Sequence, residues 1–316
     1  SIFRSRNQLT MKQAINLFFL GKGGVGKSTS AALYALALAD NGLRVLLVSL
    51  DPAHNQGDIF NTRITAQPFN ILPNLKVMEI DQERWAKHYL DEVQHQLRHS
   101  YSYLSALNLD HHFKVLKYSP GLEEHALLLA FQKITSDYHN YDYLLFDMPP
   151  TALALKFFNL PRLSLLWLEH LLNLRREIIK KKEMITTVKW GRQEVEQDKI
   201  LNKIEAMQQE HTKLQQVFQH RRKTRIQLVI NADKLSVAES QRIYAGLQQI
   251  DIKLHCLIIN KTTPGAASAI GLPYKDIPSV KIPLAATPLI GLDNLQHFLR
   301  ANHSELGRHL CQQCEQ

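Results

Sequence analysis

The sequence predicts a doubly wound α/β fold, a mainly parallel sheet with helices on both faces, carrying an all-helical insertion. Three observations lead there. Short continuous apolar runs alternate with stretches of helical spacing along most of the chain. One of these runs leads straight into a glycine-rich loop that opens a helix, and two others end in an aspartate. Continuous apolar strands belong to sheets buried on both faces. Carboxylates at strand C-termini in such sheets border the crevice where ligands bind.

The strands read in order as Ile15–Leu20, Arg44–Leu50, Leu75–Ile80, Tyr143–Phe146, Ile226–Ile230, Leu254–Ile259 and Val280–Leu284. A helix follows the first, from Ser28 to Ala39. The alternation stops between Pro161 and Pro264, where there is no proline and the only glycines are Gly191 and Gly246. Leu168, Leu171, Leu172, Leu174, Ile178 and Ile179 lie on one side of a first helix, which breaks near Gly191. Ile200, Ile204, Met207, His211, Leu214 and Phe218 then step by 4, 3, 4, 3 and 4, a heptad seam. The expected organisation is an extension at 1–10, an α/β domain at 11–161 and 223–316, and a helical insertion at 162–222. Such a seam packs on the parent domain or a sister helix, or it forms an exposed groove for an apolar client.

The 316 residues are 45% hydrophobic and 21% charged, enough to bury a large core. This excludes a disordered or collagen-like chain. The net charge of +9 suggests an anionic partner, but it is unevenly placed: residues 171–225 hold 14 Lys and Arg against 7 Asp and Glu. The excess therefore belongs to the insertion, which faces anionic membrane, an acidic partner or solvent; no nucleic acid is expected. Three cysteines make no disulfide framework, which suits a reducing, cytoplasmic setting. Cys256 lies in a strand and packs as a small hydrophobe. Residues 1–10 lack the apolar stretch of a secretory leader, and no uncharged apolar run reaches 18 residues.

Gly21-Lys-Gly-Gly-Val-Gly-Lys-Ser28 matches G-x-x-x-x-G-K-[ST] between a strand and a helix. Gly21, Gly23, Gly24 and Gly26 let backbone N–H groups of the loop, including those of Val25 and Thr29, approach phosphates without Cβ clashes. Lys27 reaches the β- and γ-phosphates of ATP, Ser28 places its hydroxyl on Mg²⁺, and the helix dipole adds to both. Asp51, at the end of the second strand, is placed either to cap a helix before Pro52 or to polarise the attacking water. Asp147 ends the apolar strand Tyr143-Leu-Leu-Phe146, the Walker B pattern, and would hold Mg²⁺.

Combined, these segments resemble one family. Lys22 inside the loop is similar to the second lysine of the signature-lysine (deviant Walker A) ATPases. Asp51-Pro-Ala-His54 with Asp58-Ile-Phe60 resembles switch I of the family of the arsenite-pump ATPase ArsA and the tail-anchored-protein (GET) targeting ATPase. Asp147-Met-Pro-Pro-Thr151 with Leu160-Pro161 resembles its switch II, D-T-A-P-T-G-H-T-L-R. Weaker matches are Pro120-Gly-Leu-Glu-Glu124, Asn231 through Glu239 to Arg242, and Leu257-Ile-Ile-Asn260-Lys261. Together they run from about residue 14 to 300. The resemblance implies a homodimer with ATP at its interface, Lys22 reaching the partner's phosphates, and Asp51 as catalytic carboxylate, also placed at Mg²⁺. It implies Asn260 reading the adenine edge, with Pro283 to Pro288 walling the base.

The resemblance further implies a membrane task, either driving a pump for arsenite or a related anion or carrying a hydrophobic client. A partitioning or positioning switch ATPase of the ParA/MinD kind uses the same loop but needs no helical insertion. In switch II, Ala152, Leu153 and Ala154 replace the family's Gly, His and Thr, and Lys156 replaces Arg. Cys311-Gln-Gln-Cys314 supplies two thiolates; a twofold dimer would supply four, enough for Zn²⁺ or a metalloid, although the pair is also consistent with two frayed thiols. Residues 1–255 hold no cysteine, so the thiolates that would bind arsenite near Glu124 have no counterpart.

Overall fold

The computed structural model describes residues 14–53, 55–100, 121–190, 199–263, 274 and 276–302. Among them eight strands form one sheet, in the order β3-β4-β2-β5-β1-β6-β7-β8. The strands are β1 (Ile15–Leu20), β2 (Val45–Ser49), β3 (Phe69–Leu72), β4 (Leu75–Glu79), β5 (Tyr143–Asp147), β6 (Thr224–Asn231), β7 (Leu254–Thr262) and β8 (Ser279–Pro283). All seven expected strands are present. The eighth, β3, is an antiparallel edge joined to β4 across Pro73-Asn74. Its residues are exposed or half-buried, so it carries neither a continuous apolar run nor a clean alternation.

The described helices are α1 (Lys27–Asp40), α2 (Asn55–Phe60), α3 (Gln82–Ser100), α4 (Leu122–Asp137), α5 (Thr151–Trp190), α6 (Lys199–Gln219), α7 (Lys234–Gln249) and α8 (Leu292–Ala301). Strand alternation splits the core in two. Leu17 and Phe19 of β1 face α1 and α8 with Tyr34, Val229 and Leu295. Phe18 and Leu20 face α4, α5 and α6. There Phe18 stacks on Phe146 with centroids 4.9 Å apart and meets Phe158 edge-on at 5.0 Å, and Phe158 meets Phe218 at 5.1 Å. Phe218 thus pins the end of α6 to the sheet. Phe218→Ala is expected to cost about 3–5 kcal/mol, read in denaturant melts as a lower midpoint.

The helical region differs from expectation in two ways. The first helix does not begin at 162: α5 is one helix of 40 residues that starts at Thr151, directly after β5, and runs through Pro161. Proline removes the hydrogen bond to the i−4 carbonyl and its ring crowds that carbonyl, and tertiary packing on the phenylalanine core carries the helix past it. Nor do the expected apolar positions share one face. Leu168 and Leu172 are buried, whereas Leu171, Leu174 and Ile178 are exposed, together with Leu163, Leu166 and Trp167. Neighbours in sequence lie about 100° apart around a helix, so the apolar residues wrap onto two faces. Along α6 the seam is buried at Leu214 and Phe218, half-buried at Ile200, Ile204 and His211, and exposed at Met207. Gly191 lies outside the described residues.

Candidate active site

Three parallel strands deliver the site. β1 ends in the glycine loop, β2 runs into Asp51, and β5 ends in Asp147; the pairings Ser49↔Asp147 and Phe19↔Asp147 hold the three ends side by side. The loop's geometry requires its glycines. Gly24 and Gly26 have φ of 81° and 91°. A Cβ on Gly26 would run into the Asn260 amide, and one on Gly21 into the Val229 carbonyl. Gly26→Ala is expected to abolish nucleotide binding, seen as no heat on titration, because the loop would have to leave both its left-handed conformation and its contact with Asn260.

Lys27 is buried and its Nζ lies 3.9 Å from Asp51 Oδ2. The other oxygen, Asp51 Oδ1, accepts from the Ala53 N–H at 3.0 Å. Asp51 thus makes the local turn that precedes α2 and also faces the loop lysine. Asp147 is fully buried. Burial pushes its carboxyl up to about 6, opposed in part by the Ser28 hydroxyl, the Lys27 ammonium and the Gln56 amide. Its Oδ2 accepts from Gln56 Nε2 at 3.1 Å, and Oδ1 has no partner among the described residues. The same Gln56 nitrogen donates to the Ser28 carbonyl at 3.2 Å. Asn55 Nδ2 lies 3.5 Å from Ser28 Oγ.

Lys27, Ser28, Asp51 and Asn55 border a cavity of about 880 Å³, whereas Asp147 and Gln56 are fully buried and not among its lining residues. Gly23, Gly24, Gly26, Lys27, Ser28, Thr29, Asp51 and Asn260 line it, and Pro283 to Pro288 form a further wall. Val25 is buried behind the loop, and Lys22, half-buried, is not among the lining residues. Asn260 also touches the loop: its Nδ2 donates to the Val25 carbonyl at 2.8 Å, and its Oδ1 accepts from the Lys261 N–H at 2.9 Å. Sequence reasoning missed Gln56, which sits inside the quoted switch I stretch without a pattern of its own, and Lys261, which lines the cavity.

The weaker matches resolve in different ways. Glu124 is buried and pairs with Lys156 Nζ at 3.1 Å, so the lysine in the switch II segment keeps a cation against the Gly121-Leu-Glu-Glu124 turn. Ala154 is fully buried in the phenylalanine core. Glu239 and Arg242 pair with each other, 2.8 Å apart on α7, and Asp233 caps that helix through the Ser236 N–H. His54, Pro120, Cys311 and Cys314 lie outside the described residues. Among the described residues no group of three or more His, Cys, Asp or Glu side chains is placed to hold a metal.

The Mg²⁺ expected here meets a fitting donor set. A buried carboxylate oxygen without a partner, a hydroxyl and a second carboxylate are hard oxygen ligands, and this ion is typically held by one or two carboxylates beside substrate phosphates.

A phosphate-binding loop after β1, with carboxylates at the ends of two neighbouring parallel strands, defines a P-loop nucleoside triphosphatase. Residues 15–301 match the family of anion-transporting ATPases, and the chain belongs to that ArsA ATPase family. It is similar to the putative arsenical pump-driving ATPase 2 of Aquifex aeolicus, 28% identical over 89% of this chain and 96% of that protein. It is 31% identical to the ATPase ASNA1 homolog of Plasmodium falciparum, over 81% of this chain and 65% of that one. The ATPase ASNA1 homolog 1 of Paramecium tetraurelia is 29% identical, over 78% and 74%.

Proposed function

We propose that the chain is a Mg²⁺-dependent ATPase that works as a nucleotide-driven homodimer and couples ATP hydrolysis to a membrane task. The carrying observation is the convergence of Lys27, Ser28, Asp51 and Asp147 at one mouth of the sheet. The glycine loop binds the phosphates, and Lys27 exchanges Asp51 for the β- and γ-phosphates. Asp51, released from that pair, orients the attacking water and takes up its proton at a carboxylate oxygen. Ser28 and Asp147 would hold Mg²⁺, with Asp51 beside them, and the bound ion would supply charge neutralisation for the transferred phosphoryl group. Lys22 acts across the dimer. Lys22→Ala should slow steady-state hydrolysis more than tenfold while the affinity for ATP shifts less than threefold. Equal losses in both would remove its cross-subunit role.

The surface of α5 favours carriage of an apolar client. Leu163, Leu166, Trp167, Leu171, Leu174 and Ile178 are 44–71% exposed along one helix, more contiguous apolar surface than scattered exposure provides. Exposed Arg221 and Arg222 follow α6 and suit a peripheral position at an anionic membrane, with the protein otherwise cytoplasmic. No described helix is long and apolar enough to cross a membrane. Leu171→Asp with Leu174→Asp should abolish capture of a hydrophobic helical peptide by the ATP-bound protein and leave turnover unchanged. Pump-driving is the second reading, favoured by the Aquifex relative's name. It requires arsenite to raise turnover through Cys311 and Cys314, since Cys256 is buried with its thiol pushed far up by desolvation. An unchanged rate with arsenite excludes it.

A further inference from the structure

We infer that Gln56 of α2 is a positioning residue for Asp147: its side-chain amide holds one carboxylate oxygen and leaves the other for the metal ion. Gln56 Nε2 donates to Asp147 Oδ2 at 3.1 Å and to the Ser28 carbonyl at 3.2 Å. An amide nitrogen carries two hydrogens, and both are taken up by these acceptors. The amide cannot be turned round, because its oxygen would then face the Ser28 carbonyl, which has no hydrogen to give. Gln56 is fully buried and does not line the cavity, so it acts through the groups it holds.

The chemistry of the donor suits this task. A carboxylate turns easily about its last torsion, which is broad. The bond to Oδ2 removes that freedom, while Oδ1 has no partner among the described residues. A lysine or arginine in the same place would neutralise Asp147 and compete with the ion. A neutral amide orients the carboxylate and leaves its charge for the metal, as outer partners of metal ligands do.

The holder is itself held. The next residue, Gly57, donates its N–H to Glu79 Oε1 at the end of β4, at 3.0 Å. Asn55, the residue before, places Nδ2 3.5 Å from Ser28 Oγ. α2 is thus tied to β4 on one side and to α1 and β5 on the other. A single amide bridges Ser28 and Asp147, the two groups placed to hold Mg²⁺.

Stability alone does not account for a glutamine here. A methionine fills a similar volume with no polar group to desolvate. Gln56 Oε1 is buried without a partner among the described residues, which costs stability. What the nitrogen end does for Asp147 explains why that cost is carried.

The role rests on the Mg²⁺-dependent ATPase reading above, and the two can fail separately. The experiment is calorimetric titration of ATP into wild type, Gln56→Met, Asp147→Asn and the double variant, each in Mg²⁺ and in EDTA. Thermal melts check folding, and Gln56→Leu, which removes the same donors, carries the test should Gln56→Met fail to fold. The readout is the ratio of the two affinities, which isolates the contribution of the metal. Gln56→Met should lower that ratio about tenfold, the lower end of what losing an outer partner costs in metal affinity. ATP affinity in EDTA should stay within about twofold of wild type, and in the Asp147→Asn background the ratio should move by less than about twofold.

Equal weakening in Mg²⁺ and in EDTA would reduce Gln56 to packing α2 and refute the role. So would an unchanged ratio, or a tenfold fall that persists without the Asp147 carboxylate. A wild type that binds ATP equally well with and without Mg²⁺ overturns the Mg²⁺ reading of the site and the role of Gln56 with it.

Discussion

Asp51→Asn should lower ATP turnover by about 10²- to 10⁴-fold, the range that loss of a positioned general base produces, while nucleotide binding survives. The geometry predicts this split. Asp51 Oδ2 is 3.9 Å from Lys27 Nζ, and both side chains are buried. In the chain as it stands the carboxylate competes with phosphate for the loop lysine. The amide leaves Lys27 unpaired and removes a negative charge from the cavity, so ATP affinity should hold or rise a few-fold. The local turn is kept, because an amide oxygen can still accept from the Ala53 N–H. Equilibrium titration and a single-turnover assay separate the two effects. Turnover within threefold of wild type would show that Asp51 does not act on the attacking water. A loss of binding matching the loss of turnover would reduce it to a structural role.

Asp147→Asn is expected to strengthen the metal-free fold and destroy Mg²⁺-dependent catalysis. Burial holds the Asp147 carboxyl at about 6, against an ordinary 3.8. The folded chain therefore keeps a proton that the unfolded chain releases. That contribution to stability is full below pH 4 and is lost as pH rises through 6. Near pH 7.5 the carboxylate is charged, buried and half-satisfied, with Oδ1 lacking a partner. The cost is on the order of 2–3 kcal/mol. The asparagine carries no such charge. In EDTA, wild type should melt close to the variant at pH 4 and below it at pH 8. With Mg²⁺ and ATP the order should reverse, because only the carboxylate gains from the ion. A variant that melts lower at pH 8 without metal would show that the carboxylate is stabilised by something other than Mg²⁺.

The two predictions depend on different kinds of information. The identities of Asp51 and Asp147 were legible because each ends an apolar strand, a local pattern. The seven main strands were legible for the same reason, since full burial demands continuous apolar runs. The edge strand β3 escaped because an edge needs no such run. The start of the long helix escaped because Pro161 suggested a boundary; proline is a local signal, and the phenylalanine core overrode it.

The sequence by itself determined that this is a parallel-sheet nucleotide-binding fold, that its phosphate loop follows β1, and that two carboxylates stand beside it. Each of these is written in contiguous residues, because a loop that cradles phosphate with its own backbone must be contiguous. Only the tertiary structure decided the rest. Gln56 joins Ser28 to Asp147, which lies 91 residues further along the chain. Lys156 meets Glu124. Asn260 reaches the loop from 235 residues away. α5 divides its apolar residues between a buried face and an exposed one. A glutamine, a lysine or an asparagine has no local pattern that names its partner, and a helix has no inner face until something packs on it. The packing of distant segments settles both.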